Sequence, residues 1–175
     1  MSEAAFQREV SIRRATAEDV VLLSTLSSVT FYEAYFEQDD PHDLSNYLRE
    51  NFGRETIEAE MEHSAYFIAF RRGRAVGYAK LRDGEPHEAV KGNAVELQRI
   101  YLVERVWGTG IGDTLLEICM EEARSMGKDV LWLGVWEENR RGLSFYAKHG
   151  FTRVGTLTFP YCGSVGINAV MQISL

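Results

Sequence analysis

Proline is scarce in this chain, three residues in 175, and cysteine is scarcer still at two. Cys119 and Cys162 stand at no metal-ligand spacing, so neither a disulfide framework nor a metal site is expected. Both read as small core or near-core thiols, reduced, in a cytoplasmic protein. No apolar run approaches the ~18–20 residues that a membrane span requires. The opening residues, MSEAAFQREV, lack the basic-then-apolar order of a secretory signal. A basic surplus is missing as well: the net charge of −7 argues against nucleic acid as a partner. There are no repeats, linker-like stretches or low-complexity segments, and the length suits a single domain over residues 1–175.

What the chain has instead is acid, unevenly spread. Residues 31–63 hold ten acidic side chains against Arg49 and Arg54, so the rest of the chain is close to neutral. Two explanations stay open: solvated faces of a helix pair, or a rim that draws a cationic ligand towards a site.

Residues 9–15 (EVSIRRA) alternate as a first strand, and Thr16-Ala-Glu-Asp19 is a capping-box pattern opening a helix to about Phe36. Asp40-Pro41 caps a second helix that stops at Asn51-Phe52-Gly53, and 54–62 forms a short third one. Strands at 65–70 and 75–81 flank Arg71-Arg72-Gly73-Arg74, whose glycine suits a tight hairpin turn, and 83–93 reads as a polar, mobile loop. A strand at 94–102 follows, then a helix with Ile111, Leu115, Cys119, Ala123 and Met126 on one face, ended by Gly127. The apolar run 130–136 (VLWLGVW) suits a strand buried on both faces and parallel to its neighbour. Asn139 caps a last helix with Leu143, Tyr146 and Ala147 inward. Strands 152–159 and 165–174 close the chain around Cys162-Gly163-Ser164. This order predicts an α/β fold: a mixed, mostly antiparallel sheet of six to seven strands, one parallel crossover and flanking helices.

The stretch VELQRIYLVERVWGTGIG, 95–112, holds three glycines at alternate positions, Gly108, Gly110 and Gly112, directly before a helix. Unpaired N–H groups and the helix dipole make such a start a site for phosphate oxygens. The spacing is G-x-G-x-G, after about the fourth strand, so it is not a dinucleotide fingerprint. Asp113 stands where a nucleoside-triphosphate loop needs lysine.

Trp107-Gly108-Thr109-Gly110-Ile111-Gly112 and the second run, Asn139-Arg-Arg-Gly-Leu-Ser-Phe-Tyr146-Ala-Lys-His-Gly150-Phe151, together resemble the GNAT superfamily of N-acetyltransferases. The resemblance covers nearly the whole chain and departs at Trp107, where Gln or Arg is usual, and at Gly142, where Ala is usual. It implies acetyl-CoA as cosubstrate and no metal, with the two parallel strands splayed apart. The backbone of Ile100, Tyr101 and Leu102 would then pair with the pantetheine arm. The N–H groups of Gly108, Thr109, Gly110, Ile111, Gly112 and Asp113 would hold the pyrophosphate. Asn139 would reach the pantetheine or acetyl end, and Lys148 a phosphate or only solvent.

In the implied reaction an amine attacks the acetyl carbonyl directly, with Tyr146 as general acid towards the sulfur. Tyr146 lies seven residues, about two helical turns, past Asn139 and so faces the same side. Glu96 is the candidate base, with a structural ion pair to Arg99 or Arg105 as the rival reading. Within the superfamily the segments TFYEAYF, VGYAKL, ELQRIYL and LWLGVWE are most similar to bacterial polyamine acetyltransferases, which would make Tyr32 and Glu33 contacts for a cationic amine. Asn168 stands where those proteins more commonly have an acid. A protein N-terminal acetyltransferase is the competing reading, weakened because Gly134 occupies the place of its glutamate. A non-catalytic acetyl-CoA-binding module is the third. A homodimer is common among such proteins.

Overall fold

The computed structural model describes residues 9–161 and 164–175. Cys162 and Gly163, placed in the last hairpin turn from sequence, lie outside the described residues. Seven strands, β1 (Val10–Arg14), β2 (Ser64–Arg71), β3 (Arg74–Arg82), β4 (Ala94–Leu102), β5 (Val130–Trp136), β6 (Thr152–Tyr161) and β7 (Ser164–Ser174), form one sheet in the order β1-β2-β3-β4-β5-β7-β6. Five helices accompany them: α1 (Val20–Tyr35), α2 (Pro41–Phe52), α3 (Arg54–Met61), α4 (Ile111–Ser125) and α5 (Arg140–Lys148). The described chain divides into two compact units, Met1–Lys80 with Arg99–Cys119, and Leu81–Gln98 with Met120–Leu175.

In the first unit β1 pairs antiparallel with β2, from Val10 opposite Arg71 to Arg14 opposite Phe67. The β2–β3 turn puts Arg72 (φ 51°) and Gly73 (φ 73°) both in the left-handed region, the two-residue hairpin geometry whose twist matches its strands. The Thr16 pattern opens a 3₁₀ turn, Ala17–Asp19, which runs on into α1. Asp19 reaches back to the Thr16 N–H at 2.9 Å. Arg13 grips the same carboxylate at 2.7 Å and holds its pKa down to about 2. Asp40 caps α2 by accepting from the His42 and Asp43 N–H groups, with Pro41 at the first position, as the sequence predicts. Leu23, Phe52, Ile57, Tyr66, Ile68 and Tyr78 fill the core.

One glycine here shapes the end of β4. A Cβ on Gly77 would lie 2.6 Å from the Tyr101 carbonyl oxygen and 2.1 Å from Leu102 Cδ2. The missing side chain therefore lets β4 lean onto β3, and the Val103 N–H reaches the Val76 carbonyl at 2.9 Å. Gly77→Ala should lower the unfolding free energy by about 1–3 kcal/mol through overpacking, read from the urea midpoint. An unchanged midpoint would show that β4 shifts without cost.

In the second unit β4 runs parallel to β5, Ala94–Glu96 opposite Val130–Trp132. That parallel register covers three residues of each strand, although β4 continues through Gln98 within this unit and β5 to Trp136. β7 pairs antiparallel with β5 along the whole of β5, and β6 with β7 around a bulge at Arg153/Gly155. Ala94, Val130, Trp132 and Val170 pack with Val90 into a small core. Val90 anchors the segment 83–93, read from sequence as mobile. Its N–H bonds the His87 carbonyl at 2.8 Å, and Asp83 pairs with Lys128 at 2.6 Å. A lone valine in a polar stretch has no periodicity to reveal it.

Two inward assignments are corrected by burial. Met126 is exposed at the frayed end of α4, where Gly127 turns the chain at φ 72°. Ala147 is exposed on α5, whose buried residue is Tyr146.

Candidate active site

In the first unit the chain leaves β4, makes a 3₁₀ turn at Glu104–Val106 and enters the glycine loop. Gly108 and Gly110 have φ of 71° and 87°, which side-chain-bearing residues rarely adopt, and nothing lies within 4 Å of a Cβ built on Gly108. The Thr114 N–H closes the first helical turn onto the Gly110 carbonyl at 3.1 Å. The N–H groups of Ile111, Gly112 and Asp113 therefore precede the first intrahelical bond, and Gly110 has no side chain to cap them. This open cradle at the head of a 15-residue helix suits a diphosphate. Thr109 turns its hydroxyl inward onto the Val106 carbonyl at 2.6 Å, and its N–H reaches the same carbonyl at 3.4 Å.

Trp107 holds the loop to the strand before it: its indole N–H donates to the Leu102 carbonyl at 2.9 Å. Among the strand residues proposed for the pantetheine, Tyr101 has its ring buried against Phe31 and Tyr78, where burial pushes its pKa well up. Only its backbone can serve a ligand.

The acidic segment divides its roles. Tyr32 is half exposed, stacks on Phe36 at 5.6 Å and lines a groove of about 230 Å³ with Asp39, Leu44 and Leu48. Glu33 accepts the Glu104 N–H at 2.8 Å and so fixes the 3₁₀ turn that leads into the glycine loop. Glu60 faces inward. It binds Lys80 Nζ at 2.7 Å and Arg99 at 2.7 and 3.1 Å, and accepts from the Tyr66 hydroxyl. The Arg99 guanidinium stacks over Phe52 at 4.9 Å.

In the second unit Glu96 lines a cleft of about 250 Å³ with Arg82, Gly84, Glu85 and Trp132. Its carboxylate meets Arg82 at 2.6 Å (Nη2) and 2.8 Å (Nε). An arginine does pair with it, but this is Arg82 rather than Arg99, which is committed to Glu60. Arg82 closes β3, in no motif, and sequence reasoning passed over it.

Helix α5 carries the second motif. Asn139 caps it, Oδ1 accepting from the Gly142 N–H at 2.8 Å. A Cβ on residue 142 would sit 2.8 Å from Asn139 Nδ2, so the glycine in place of the usual alanine makes room for the folded-over amide. Tyr146 is buried edge-on between Phe145 (5.3 Å) and Phe151 (5.5 Å). Lys148 is exposed at the last turn, where a cation complements the helix dipole. The glycine loop thus belongs to the first unit, and Glu96, Asn139, Tyr146 and Lys148 to the second. No group of His, Cys, Asp and Glu able to hold a metal ion occurs among the described residues, and no helix there is long and apolar enough to cross a membrane.

The first unit thus holds an open N–H cradle at the head of α4, and the second a capped helix with a buried tyrosine. Residues 25–151 match the model of the Acetyltransferase (GNAT) family, and the chain belongs to that family. Membership makes it an acyltransferase with acetyl-CoA as its acetyl donor. It is 32% identical over 153 residues to an uncharacterized N-acetyltransferase of the pepI 3′ region in Lactobacillus delbrueckii subsp. lactis, covering 86% of this chain and 88% of that one. Over 148 residues it is 25% identical to the spermidine N(1)-acetyltransferase of Thermoplasma acidophilum, covering 81% and 88% of the two chains. The crystal structure of the PaiA N-acetyltransferase of the same organism, solved with coenzyme A, superposes with a TM-score of 0.74 at 22% identity over 95% of this chain and 99% of that one, a likeness of fold.

Proposed function

We propose that the protein, working as one domain, acetylates a primary amine of a small cationic molecule, a polyamine in the first instance, by direct attack on acetyl-CoA. The observation that carries this is the Glu96 cleft. Glu96, paired with Arg82, lines it together with Glu85 and Trp132, at the residue where the parallel pairing of β4 with β5 ends. Two carboxylates against one guanidinium, with an aromatic side chain, suit an organic ammonium. Glu96 takes the proton that the ammonium must lose; the neutral nitrogen attacks the carbonyl carbon; the C–S bond breaks as the amide forms, and the nitrogen sheds its second proton to water. Tyr146 gives its proton to the departing thiolate. The N–H groups of 108–113 hold the pyrophosphate, the backbone of 100–102 the pantetheine, Asn139 its inner end, and Lys148 a phosphate from the surface.

Two features favour a cation as acceptor. The acidic segment keeps Asp39, beside the Tyr32–Phe36 pair, in its groove. The Thermoplasma relative is named for spermidine. Glu33, tied to the Glu104 N–H, acts as a brace, and Tyr32 is the contact from that pair. The test is initial-rate kinetics with spermidine, a monoamine of equal length and a peptide with a free N-terminus. Spermidine should give the highest kcat/KM, and Glu96→Gln should lower it by about 10²-fold or more without altering KM for acetyl-CoA. A peptide turned over at least as well would replace the polyamine reading with an N-terminal acetyltransferase.

A further inference from the structure

Four side-chain oxygens of the described residues are shielded from solvent without a hydrogen-bond partner: Ser27 Oγ, Tyr78 Oη, Gln98 Oε1 and Asn168 Oδ1. Such atoms are uncommon in folded proteins and each calls for an explanation. Ser27 and Tyr78 face one another in the first unit. Gln98 and Asn168 belong to the second unit.

The strand register puts these two amides on one face. Glu96 stands opposite Trp132, and both line the cleft. Gln98 is two residues on from Glu96, and Gly134 two on from Trp132, so both follow on the same face. Asn168 on β7 is opposite Trp136, again two residues on from Gly134. A Cβ on Gly134 would lie 3.4 Å from Asn168 Nδ2, in ordinary contact. The middle strand therefore contributes no side chain at Gly134, where a Cβ would also lie 3.8 Å from Leu157 Cδ2.

We infer that Gln98 and Asn168, the two unpartnered amides on the face that carries Glu96, form the subsite that holds the acceptor amine through its N–H bonds. This rests on the amine-acetylation reading. Both residues are only half-buried, and the terminal torsion of an amide is broad, so each oxygen can turn to an arriving donor. The chemistry favours amides over carboxylates here. A carboxylate stabilises the ammonium, which cannot attack; an amide oxygen accepts from the neutral amine without holding its extra proton.

The experiment compares wild type with Gln98→Leu, Asn168→Leu and Asn168→Asp. Each leucine variant should raise KM for the amine about 5–10-fold, leave KM for acetyl-CoA unchanged, and keep Tm equal or higher, because an unsatisfied polar group has gone. Asn168→Asp should lower KM for the amine and move the pH optimum of kcat/KM upward, as the bound ammonium becomes harder to deprotonate. An amine KM unchanged in both leucine variants overturns the inference. Binding is read separately from the side-chain amide NMR signals of Gln98 and Asn168, assigned through the leucine variants, with spermidine added to protein saturated with CoA. If neither signal moves, the subsite falls even where the wild type turns over. If both move in a protein that acetylates nothing, the subsite stands and the acetyl-transfer reading falls.

Discussion

Glu60→Gln should lower the unfolding free energy by about 3–5 kcal/mol, the usual cost of removing one partner from a buried ion pair. Glu60 is the carboxylate found between the buried Lys80 ammonium and the Arg99 guanidinium, with side-chain exposures of 2% and 11% for the two cations. The amide offers one acceptor oxygen in place of two and no charge, so the two buried cations lose the carboxylate they share. Burial raises the Glu60 pKa, but Arg99, Lys80 and Tyr66 outweigh it and hold the folded value below the ordinary 4.5. The sign follows. A depressed carboxyl contributes stability that is fully present above the unfolded pKa and is lost as the pH falls through the folded one. The wild type should therefore exceed the variant in urea denaturation at pH 7, and the gap should close below about pH 4.5. Burial also pushes the Tyr66 hydroxyl up, which keeps it a donor to Glu60 throughout that range. A gap of under about 1 kcal/mol at pH 7 would mean the cluster is wetter than its exposure indicates.

Tyr146→Phe should lower kcat by about 10²-fold or more, the usual contribution of a positioned general acid, and change the CoA dissociation constant less than about twofold. The ring itself is held by edge-on contacts with Phe145 and Phe151, which phenylalanine keeps, so the helix and its cap should survive. What disappears is the hydroxyl proposed to protonate the thiolate as the C–S bond breaks. Thiol release under saturating acetyl-CoA measures kcat, and calorimetry measures CoA binding. Equal rates for the two proteins would remove Tyr146 from the chemistry and leave it as a core residue.

Legibility from sequence followed how local the physics was. The glycine loop was readable because alternate glycines before a helix have one local consequence, exposed N–H groups, and the Thr114-to-Gly110 bond marks the helix start they imply. The Asn139 cap and the buried Tyr146 were readable for the same reason: both depend on spacing within one helix. The fate of the acids was not. Glu60 looks like its neighbours Glu58 and Glu62, and only the packing of an eight-residue helix decides which of them turns inward to Lys80 and Arg99. Glu33 and Glu104 are 71 residues apart, so their bond is a matter of tertiary register. The pairing of Glu96 with Arg82 joins two adjacent strands that a polar loop separates in the chain. Gly142 reads as a loosened helix by propensity alone, and only the position of the Asn139 amide shows what the missing methyl leaves room for.

The central claim is direct transfer of an acetyl group from acetyl-CoA to the nitrogen of an amine. It is tested most directly by measuring free thiol and acetylated amine in the same reaction, with spermidine present and absent. The account predicts one equivalent of N-acetylated product per thiol and no thiol release above background without the amine. Thiol released equally in its absence, or no transfer to any amine by protein that binds acetyl-CoA tightly, would contradict it.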